Sequence, residues 1–261
     1  MNYKNPPCLV RIGLYLVLVL CCSSAIASSS ETATLSIVYD TFAPYIDNVN
    51  DKAEGLYVDV LTEALENRLG VPVRFEWQPW SRAQFSVEKG YADAMVTVVT
   101  PARLAYAETS KEPVAASETV LFTRADHPRF EQMKEIRSRR DLGDYRILTY
   151  LGDGWAKEFL SEFEVDFGAR DFSHVLEKLE RGRGDLFLQG RKVVQHYISE
   201  LQQDVPIVQV PGVELDRIEF HLLIGKSSPF LPLLPRIDQV LREMRTDGTI
   251  EDIRKKHGGI R

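Results

Sequence analysis

The sequence predicts an α/β protein that is built as two lobes. Short apolar runs typical of strands alternate with stretches in which apolar residues recur every three or four positions, as in amphipathic helices. This alternation is typical of parallel sheets covered by helices. It extends from residue 35 to residue 123, gives way to a charge-rich segment at 124–144, and begins again at residue 145. A chain of 261 residues is long enough for two lobes, each with its own core.

The N-terminal segment has the layout of a secretory signal peptide. Basic residues precede an apolar run, and Ala25-Ile26-Ala27 supplies the small residues of a cleavage site. The apolar run is too short to span a bilayer. We predict cleavage after Ala27, which removes residues 1–27 and leaves the mature protein in the periplasm. Lipid attachment at Cys21 is an alternative, but a lipidated cysteine normally follows a small residue, and Leu20 precedes it here.

The composition argues against several classes of protein. All three cysteines, Cys8, Cys21 and Cys22, lie in the predicted signal peptide, so we expect no disulfide bond and no thiol chemistry in the mature chain. The net charge of −6 argues against nucleic acid or an anionic membrane surface as a partner. The five histidines show no short spacing typical of metal ligands. We therefore expect neither a metal site nor a cofactor.

The first part of the chain alternates between strands and helices. The apolar positions Leu61 and Leu65 belong to one stripe of a helix, and Gly70 is a natural residue to follow its last turn. The predicted strands are 35–39, 71–77, 92–99 and 118–123, and the predicted helices are 55–69 and 79–89.

The pattern restarts after the charged segment. We expect Pro211-Gly212 to end one strand, and the next strand to return the chain to the first lobe. The predicted strands are 145–150, 185–189, 205–210 and 218–224, and the predicted helices are 155–163, 172–181, 192–201, 237–244 and 250–256. The expected division is residues 28–122 for the first part of lobe one, 123–212 for lobe two, and 213–261 for the return to lobe one.

The stretch from Asp93 to Arg103 predicts an anion site. It has the sequence of a buried strand, a turn and the first turn of a helix, with Thr100 as N-cap and Pro101 at the first helical position. Free backbone N–H groups and the Arg103 guanidinium would then converge, which suits a carboxylate. The alternative is that Arg103 makes a surface ion pair.

Four stretches of the chain resemble the periplasmic solute-binding proteins of amino-acid-type ABC transporters, the extracellular solute-binding protein family 3. The stretches are Phe42-Ala43-Pro44-Tyr45, residues 55–61 with Leu69-Gly70, residues 90–93 with Thr100-Pro101-Ala102-Arg103, and residues 247–253. The resemblance implies a type 2 periplasmic-binding-protein fold, in which two parallel-rich sheets are joined by two hinge strands and enclose a ligand. It also implies a monomer that works with an inner-membrane ABC permease or a sensor.

The resemblance assigns roles to individual residues. The family's aromatic platform falls on Phe42, its second wall on Trp80, and its carboxylate-binding arginine on Arg103. Its loop at a helix start in lobe two falls on Gly152-Asp153-Gly154-Trp155. Aromatic faces suit an apolar or cationic ligand body, although ordinary core packing is the alternative for Phe42 and Trp80.

The chain also departs from the family pattern. The family's hydroxyl residues before the arginine are replaced by Val96 and Val98, and we expect Thr97 to face the other way. The acid that grips an α-ammonium should fall near Gly190 but is missing. Either Asp153 substitutes for it or the ligand is not a standard α-amino acid, since an enclosed ammonium group without a counter-charge is costly.

Three further residues are candidates for the site. Gln189 lies next to the position of the missing acid. Arg82 and Arg191 would add positive contacts for a dicarboxylate or another polar anion, although a solvated surface arginine is an equal alternative for each.

Three function classes compete. We predict passive binding of a small polar, carboxylate-bearing solute, such as an amino acid or a related compound, and no enzymatic activity. A cyclohexadienyl-dehydratase-like enzyme is the alternative, and it would need a carboxylic acid in the cleft as general acid. A membrane-bound glycan-cleaving enzyme would need a further catalytic domain, which we do not expect.

Overall fold

The computed structural model describes residues 33–200 and 206–259, so the predicted signal peptide, residues 1–27, lies outside the described residues. The strands are β1 Leu35–Tyr39, β2 Asp47–Val49, β3 Lys52–Glu54, β4 Val73–Trp77, β5 Ala94–Thr97, β6 Ala107–Thr109, β7 Ala115–Arg124, β8 Ile147–Tyr150, β9 Val165–Ala169, β10 Leu186–Gly190 and β11 Ile207–Gly225. The helices are α1 Leu56–Leu61, α2 Trp80–Glu88, α3 Pro101–Leu104, α4 Phe130–Met133, α5 Gly154–Phe159, α6 Phe172–Glu180, α7 Arg191–Glu200, α8 Leu234–Thr246 and α9 Thr249–Lys256.

All of these strands except β2 and β3 form one mixed sheet with two parallel parts. The order across the sheet is β4-β1-β5-β11-β7-β10-β8-β9, and β6 also pairs with β11. In the first half, β1 pairs in parallel with β4 and β5; in the second half, β8 pairs in parallel with β9 and β10. The antiparallel pair β7 and β11 lies between these halves. The element order confirms the predicted α/β class.

Strand β11 is long enough to belong to both halves. Its first part pairs with β7, and residues 221–224 pair with β5. The sequence predicts two strands here, the first ended by Pro211-Gly212, and that prediction is wrong. The strand continues because register shifts between Gln209 and Asp216 absorb the extra residues, and Gly212 adopts the positive φ of 74° within this irregular stretch.

Four short strands are absent from the sequence prediction. Strands β2 and β3 form a polar two-stranded hairpin, β6 has three residues, and β9 contains an aspartate and a glycine. None of them has an apolar run of useful length. Their hydrogen-bonded neighbours in space supply the order that their local sequence does not.

The predicted helix at 55–69 is confirmed in a modified geometry. Helix α1 continues as a π-helical segment, Thr62–Arg68, while Leu61 and Leu65 stay fully buried on the predicted stripe. The core that contains them also includes Phe172 and Phe187 from the second half of the sheet. In the part of the chain that the structure describes, no helix has the length and apolarity that a membrane span requires.

Candidate functional site

A cavity of about 150 Å³ is lined by residues from both halves of the sheet. The first half contributes the end of β1, the loop after it, β5 and Arg103. The second half contributes Tyr150, the starts of α5 and α6, Gln189 and Tyr197. Strands β1, β5, β8 and β10 all end at the cavity, as expected because ligands of open α/β sheets bind at the carboxyl ends of the strands.

Arg103 is a buried cation at this cavity. Thr100 caps helix α3 by accepting a hydrogen bond from the Arg103 backbone N–H at 3.3 Å, as the sequence predicts, and only 3% of Arg103 is exposed. Its Nη1 donates to the Val98 carbonyl at 2.9 Å, and its Nε and Nη2 donate to Oε1 of Gln84 at 3.2 and 3.1 Å. Among the described residues no carboxylate forms an ion pair with it.

The environment of Arg103 favours a bound anion. Burial lowers the pKa of its guanidinium, although an arginine side chain stays protonated in proteins. Its hydrogen-bond acceptors, the Val98 carbonyl, the Gln84 amide oxygen and the Tyr106 hydroxyl, are neutral, and the Asp153 carboxylate acts on its charge through space without forming an ion pair. An anion entering the cavity would therefore gain a charge-assisted contact and relieve an unfavourable buried charge.

The start of helix α5 lies directly against the Arg103 guanidinium. A Cβ atom added at Gly154 would lie 3.0 Å from the Arg103 Cζ, so only glycine permits this approach without a shift. Asp153 caps α5: its Oδ1 accepts from the Ala156 N–H at 2.9 Å, and its Oδ2 accepts from the Thr149 hydroxyl at 2.6 Å. Burial raises the pKa of Asp153 above its usual range.

Helix α2 contacts the loop before α5 beside the cavity. Trp80 Nε1 donates to the Gly152 carbonyl at 3.0 Å, and Gln84 Nε2 donates to the same oxygen at 3.3 Å. The Trp80 ring lies 5.4 Å from the Arg103 guanidinium carbon. Gln84 therefore bridges Arg103 and Gly152: its Oε1 accepts from the Arg103 guanidinium, and its Nε2 donates to the Gly152 carbonyl. The sequence does not predict this role for Gln84, because its partners are distant in the chain.

Aromatic side chains form much of the cavity wall. The Phe42 ring centroid lies 5.7 Å from that of Phe172 and 5.5 Å from that of Phe220. Tyr197 stacks on Phe172 at 5.1 Å and donates its hydroxyl to the Thr41 carbonyl at 3.3 Å. Phe172, Tyr197 and Phe220 line the cavity but were missed, because periodicity explains each equally well as a core residue.

The Tyr57 hydroxyl at the cavity lacks a hydrogen-bond partner among the described residues. Tyr57 is 3% exposed, its hydroxyl is buried, and burial holds its pKa well above the usual value. Burial also raises the pKa of Tyr150, and the nearby Asp153 carboxylate adds to this shift. Both residues line the cavity. A buried hydroxyl without a partner is unfavourable, so the Tyr57 hydroxyl is a candidate for a ligand contact.

The structure brings most of the sequence-predicted residues to the cavity. Phe42, Trp80, Arg103, Asp153, Trp155 and Gln189 line it, together with Val96 and Val98. Thr97 also lines it, so the expectation that this residue faces the other way is wrong. Thr100 and Gly154 both contact Arg103: the Thr100 hydroxyl accepts from the Arg103 backbone N–H, and Gly154 lies against the Arg103 guanidinium.

Two predicted arginines lie outside the cavity lining. Arg82 is exposed on α2. Arg191 contacts Oε1 of Gln209 at 3.2 Å and Oε2 of Glu118 at 3.7 Å. Within residues 33–200 and 206–259, there is no group of three or more His, Cys, Asp or Glu residues that could hold a metal ion.

Sequence comparison identifies the family. The sequence model of the bacterial extracellular solute-binding proteins, family 3, matches residues 35–260, so the chain belongs to this family. The chain is 23% identical over 222 residues to the L-cystine-binding protein TcyA of Bacillus subtilis (strain 168), a match that covers 85% of this chain and 78% of that protein.

Solved structures share the fold. A histidine kinase sensor domain with similarity to periplasmic binding proteins superposes with a TM-score of 0.70 at 20% identity, over 87% of this chain and 96% of that one. The ancestral amino acid-binding protein AncCDT-1, a precursor of cyclohexadienyl dehydratase, gives a TM-score of 0.64 at 23% identity, over 85% of this chain and 94% of that one. The protein thus has the two-lobed fold of periplasmic binding proteins, as the sequence predicts.

Proposed function

We propose that the protein binds a small carboxylate-bearing solute in the cavity, with the carboxylate on Arg103. The observation that carries this proposal is a buried guanidinium at the cavity that has only neutral hydrogen-bond acceptors among the described residues. Membership of a solute-binding family supports binding over catalysis. So does the similarity to a cystine-binding protein, whose ligand carries carboxylates.

The bound solute is delivered to an inner-membrane ABC permease or sensed by a partner protein. The similarity to a histidine kinase sensor domain gives the sensing alternative a specific basis. We place the protein in the periplasm as a monomer, after cleavage behind Ala27. Mass spectrometry of the exported protein tests this placement, and a lipid-bearing N-terminus at Cys21 or Cys22 would contradict it.

We further propose that residues 28–122 and 213–261 form one lobe and residues 123–212 the other. The contacts of Trp80 with Gly152 and of Tyr197 with Thr41 then join the two lobes across the cleft. Such contacts are expected in a state that has closed around a ligand.

A thermal-shift screen tests the binding function. The purified mature protein is heated with amino acids, other monocarboxylates, dicarboxylates, polyamines and compatible solutes. A ligand that binds only the folded protein raises the melting temperature by mass action. We expect the hits to carry a carboxylate. Hits confined to polyamines or to uncharged solutes would contradict the proposed anion site.

An enzyme of the cyclohexadienyl dehydratase type is the second candidate. The similarity to a precursor of that enzyme favours it, and Asp153 is a buried acid at the cavity with a raised pKa. Against it, both oxygens of Asp153 are already hydrogen-bonded within the protein. Incubation with prephenate or arogenate decides the question, because the formation of an aromatic product would establish the enzyme.

A further inference from the structure

We propose that the ligand is a carboxylate with a compact apolar body and no ammonium group. The inference rests on the proposed function, since it takes Arg103 as the carboxylate site. An ammonium group enclosed in the cavity would need an acidic partner. In the described part of the chain, three acidic side chains line the cavity: Asp40, Asp153 and Asp171. Each of them is already engaged by groups of the protein itself.

Asp40 holds the start of helix α2 in place. Its Oδ1 accepts from the Thr41 backbone N–H at 2.8 Å, and its Oδ2 accepts from the Trp80 backbone N–H at 2.8 Å. The Trp77 side chain is also a hydrogen-bond partner of this carboxylate. Burial raises the pKa of Asp40, and the N–H bonds offset part of that shift by stabilising the charged form. An ammonium group that recruited Asp40 would have to compete with these donors.

Asp153 accepts hydrogen bonds from the start of helix α5 and from Thr149. Its two oxygens accept from the Ala156 N–H and from the Thr149 hydroxyl, and only 5% of the residue is exposed. From the sequence alone, either Asp153 replaces the missing acid of the family or the ligand is not a standard α-amino acid. The geometry favours the other possibility, in which the ligand is not an α-amino acid.

Asp171 is balanced by a neighbouring cation. Its Oδ1 caps helix α6 by accepting from the His174 N–H at 2.9 Å, and its Oδ2 lies 3.1 Å from Arg170 Nε. Both side chains are largely solvent-exposed. The pair therefore offers little net negative charge to a cation inside the cavity.

At the position of the missing acid, the space beside Gly190 is taken by a neighbouring side chain. Gly190 has no side chain, and a Cβ added there would lie 2.4 Å from the Ser117 hydroxyl oxygen. The space in which the family's acid would begin is thus filled by Ser117. An acid at this position would require Ser117 to move or to be replaced.

The remaining wall fits an apolar body. Val96 and Val98 line the cavity, and most of the other lining residues are aromatic or aliphatic. A cavity of about 150 Å³ matches the volume of an engineered apolar cavity that binds benzene. The ligand therefore has a body no larger than a small ring or a branched chain, attached to the carboxylate.

Matched ligand series test the inference in the wild-type mature protein. One series is phenylalanine, phenylpyruvate, phenyllactate and phenylpropionate; the other is leucine, ketoisocaproate, hydroxyisocaproate and isocaproate. Within each series only the group on the α-carbon changes. In calorimetric titrations we expect at least one ligand with an uncharged group on the α-carbon to bind at least tenfold more tightly than the amino acid of its series. The reason is that every described carboxylate lining the cavity already has hydrogen-bond partners in the protein, so none is free to pair with the ammonium group.

The possible outcomes separate this inference from the proposed function. Amino acids that bind as tightly as their deaminated partners would overturn the inference but leave carboxylate binding intact. If no member of either series binds, the apolar ligand class is wrong. The broader screen then decides independently whether any carboxylate binds.

A gain-of-function pair provides the matched control. In a Ser117→Ala background, which removes the hydroxyl that fills this space, Gly190→Asp adds a carboxylate next to the cavity-lining Gln189, and Gly190→Asn adds a side chain of the same size without charge. For each series we compare the affinity for the amino acid with the affinity for its deaminated partners. We expect this ratio to rise in the aspartate variant and not in the asparagine variant. Equal ratios in two folded variants would contradict the role assigned to the missing acid.

Discussion

The Tyr57 hydroxyl is a polar group that the fold buries without a partner among the described residues. Replacing it with phenylalanine keeps the ring in its core cluster and removes the unsatisfied group. Because such a group costs about 1–3 kcal/mol, we expect Tyr57→Phe to leave the ligand-free free energy of unfolding unchanged or higher. Affinity for a ligand that contacts the hydroxyl should fall. Urea unfolding and calorimetry measure the two effects.

Tyr45 provides the control for this prediction. It packs beside Tyr57 with ring centroids 5.4 Å apart, but its hydroxyl donates to the Ala116 carbonyl at 3.1 Å. Tyr45→Phe should therefore lower stability by about 1 kcal/mol. If Tyr57→Phe destabilises the protein as much as Tyr45→Phe, the Tyr57 hydroxyl has a structural partner and is not available to a ligand.

The residues that the sequence predicts correctly are those with local signals. Thr100, Pro101 and Arg103 lie within one turn of a helix, so their arrangement follows from capping rules. Gln84 and Tyr57 acquire their roles from partners far away in the chain, such as Gly152, which lies 68 residues from Gln84. Periodicity places such residues on a face of a helix but does not identify the residues that this face contacts.

The contact between α2 and the loop before α5 couples two elements. Trp80→Phe removes the indole N–H that donates to Gly152 and keeps an aromatic face at the cavity. The loss of one hydrogen bond costs about 0.5–1.5 kcal/mol. We expect the ligand to bind about twofold to tenfold more weakly, mainly through faster dissociation. Stopped-flow or surface-based kinetics measure the rates.

Tyr91→Phe is the matched control, because this tyrosine is 75% exposed and lies outside the cavity lining. It should not change ligand kinetics. Unchanged dissociation from Trp80→Phe would show that the contact does not contribute to the bound state.

Asp247 stabilises the start of helix α9 in a pH-dependent way. Its Oδ1 accepts from the Thr249 hydroxyl at 2.6 Å, and its Oδ2 accepts from Arg68 Nη1 at 2.9 Å. These hydrogen bonds, first those from Thr249, lower the pKa of Asp247 from 3.8 to about 2. A lowered pKa means that the stabilisation is complete above 3.8 and is lost as the pH falls towards 2.

The variant Asp247→Asn tests this linkage. We expect it to be less stable than wild type at neutral pH, with a difference that shrinks as the pH falls from 3.8 towards 2. Urea unfolding across this range measures the difference, with the exposed Asp144→Asn as control. A difference that does not depend on pH would mean that the Asp247 charge does not contribute.

At the scale of elements, apolar patterns predict the main helices and the central strands well. The prediction is wrong where hydrogen bonding between strands outweighs the conformational preference of the local sequence. Pro211 and Gly212 are strong turn signals, yet β11 passes through them because the ladder with β7 tolerates an irregularity. Strand β9 is ordered by its parallel pairing with β8 rather than by its own sequence.

At the scale of the whole molecule, the two-lobed fold predicts a closing motion. With the proposed lobe division, contacts such as Tyr197 to Thr41 join the two lobes and are expected in the closed, ligand-bound state. We expect small-angle scattering of the mature protein to give a smaller radius of gyration with saturating ligand than without it. An unchanged radius at saturation would argue against a closing clamp.

Calorimetric titration of the wild type and Arg103→Ala with the same carboxylate tests the anion site most directly. Loss of a charge-assisted contact to an enclosed anion costs about 2–5 kcal/mol, or roughly thirtyfold to several-thousandfold in affinity. Arg103→Lys should restore part of it, because lysine is a point charge and not a planar fork. The exposed Arg82→Ala should bind like wild type. Unchanged affinity in a folded Arg103→Ala protein would contradict the proposed site.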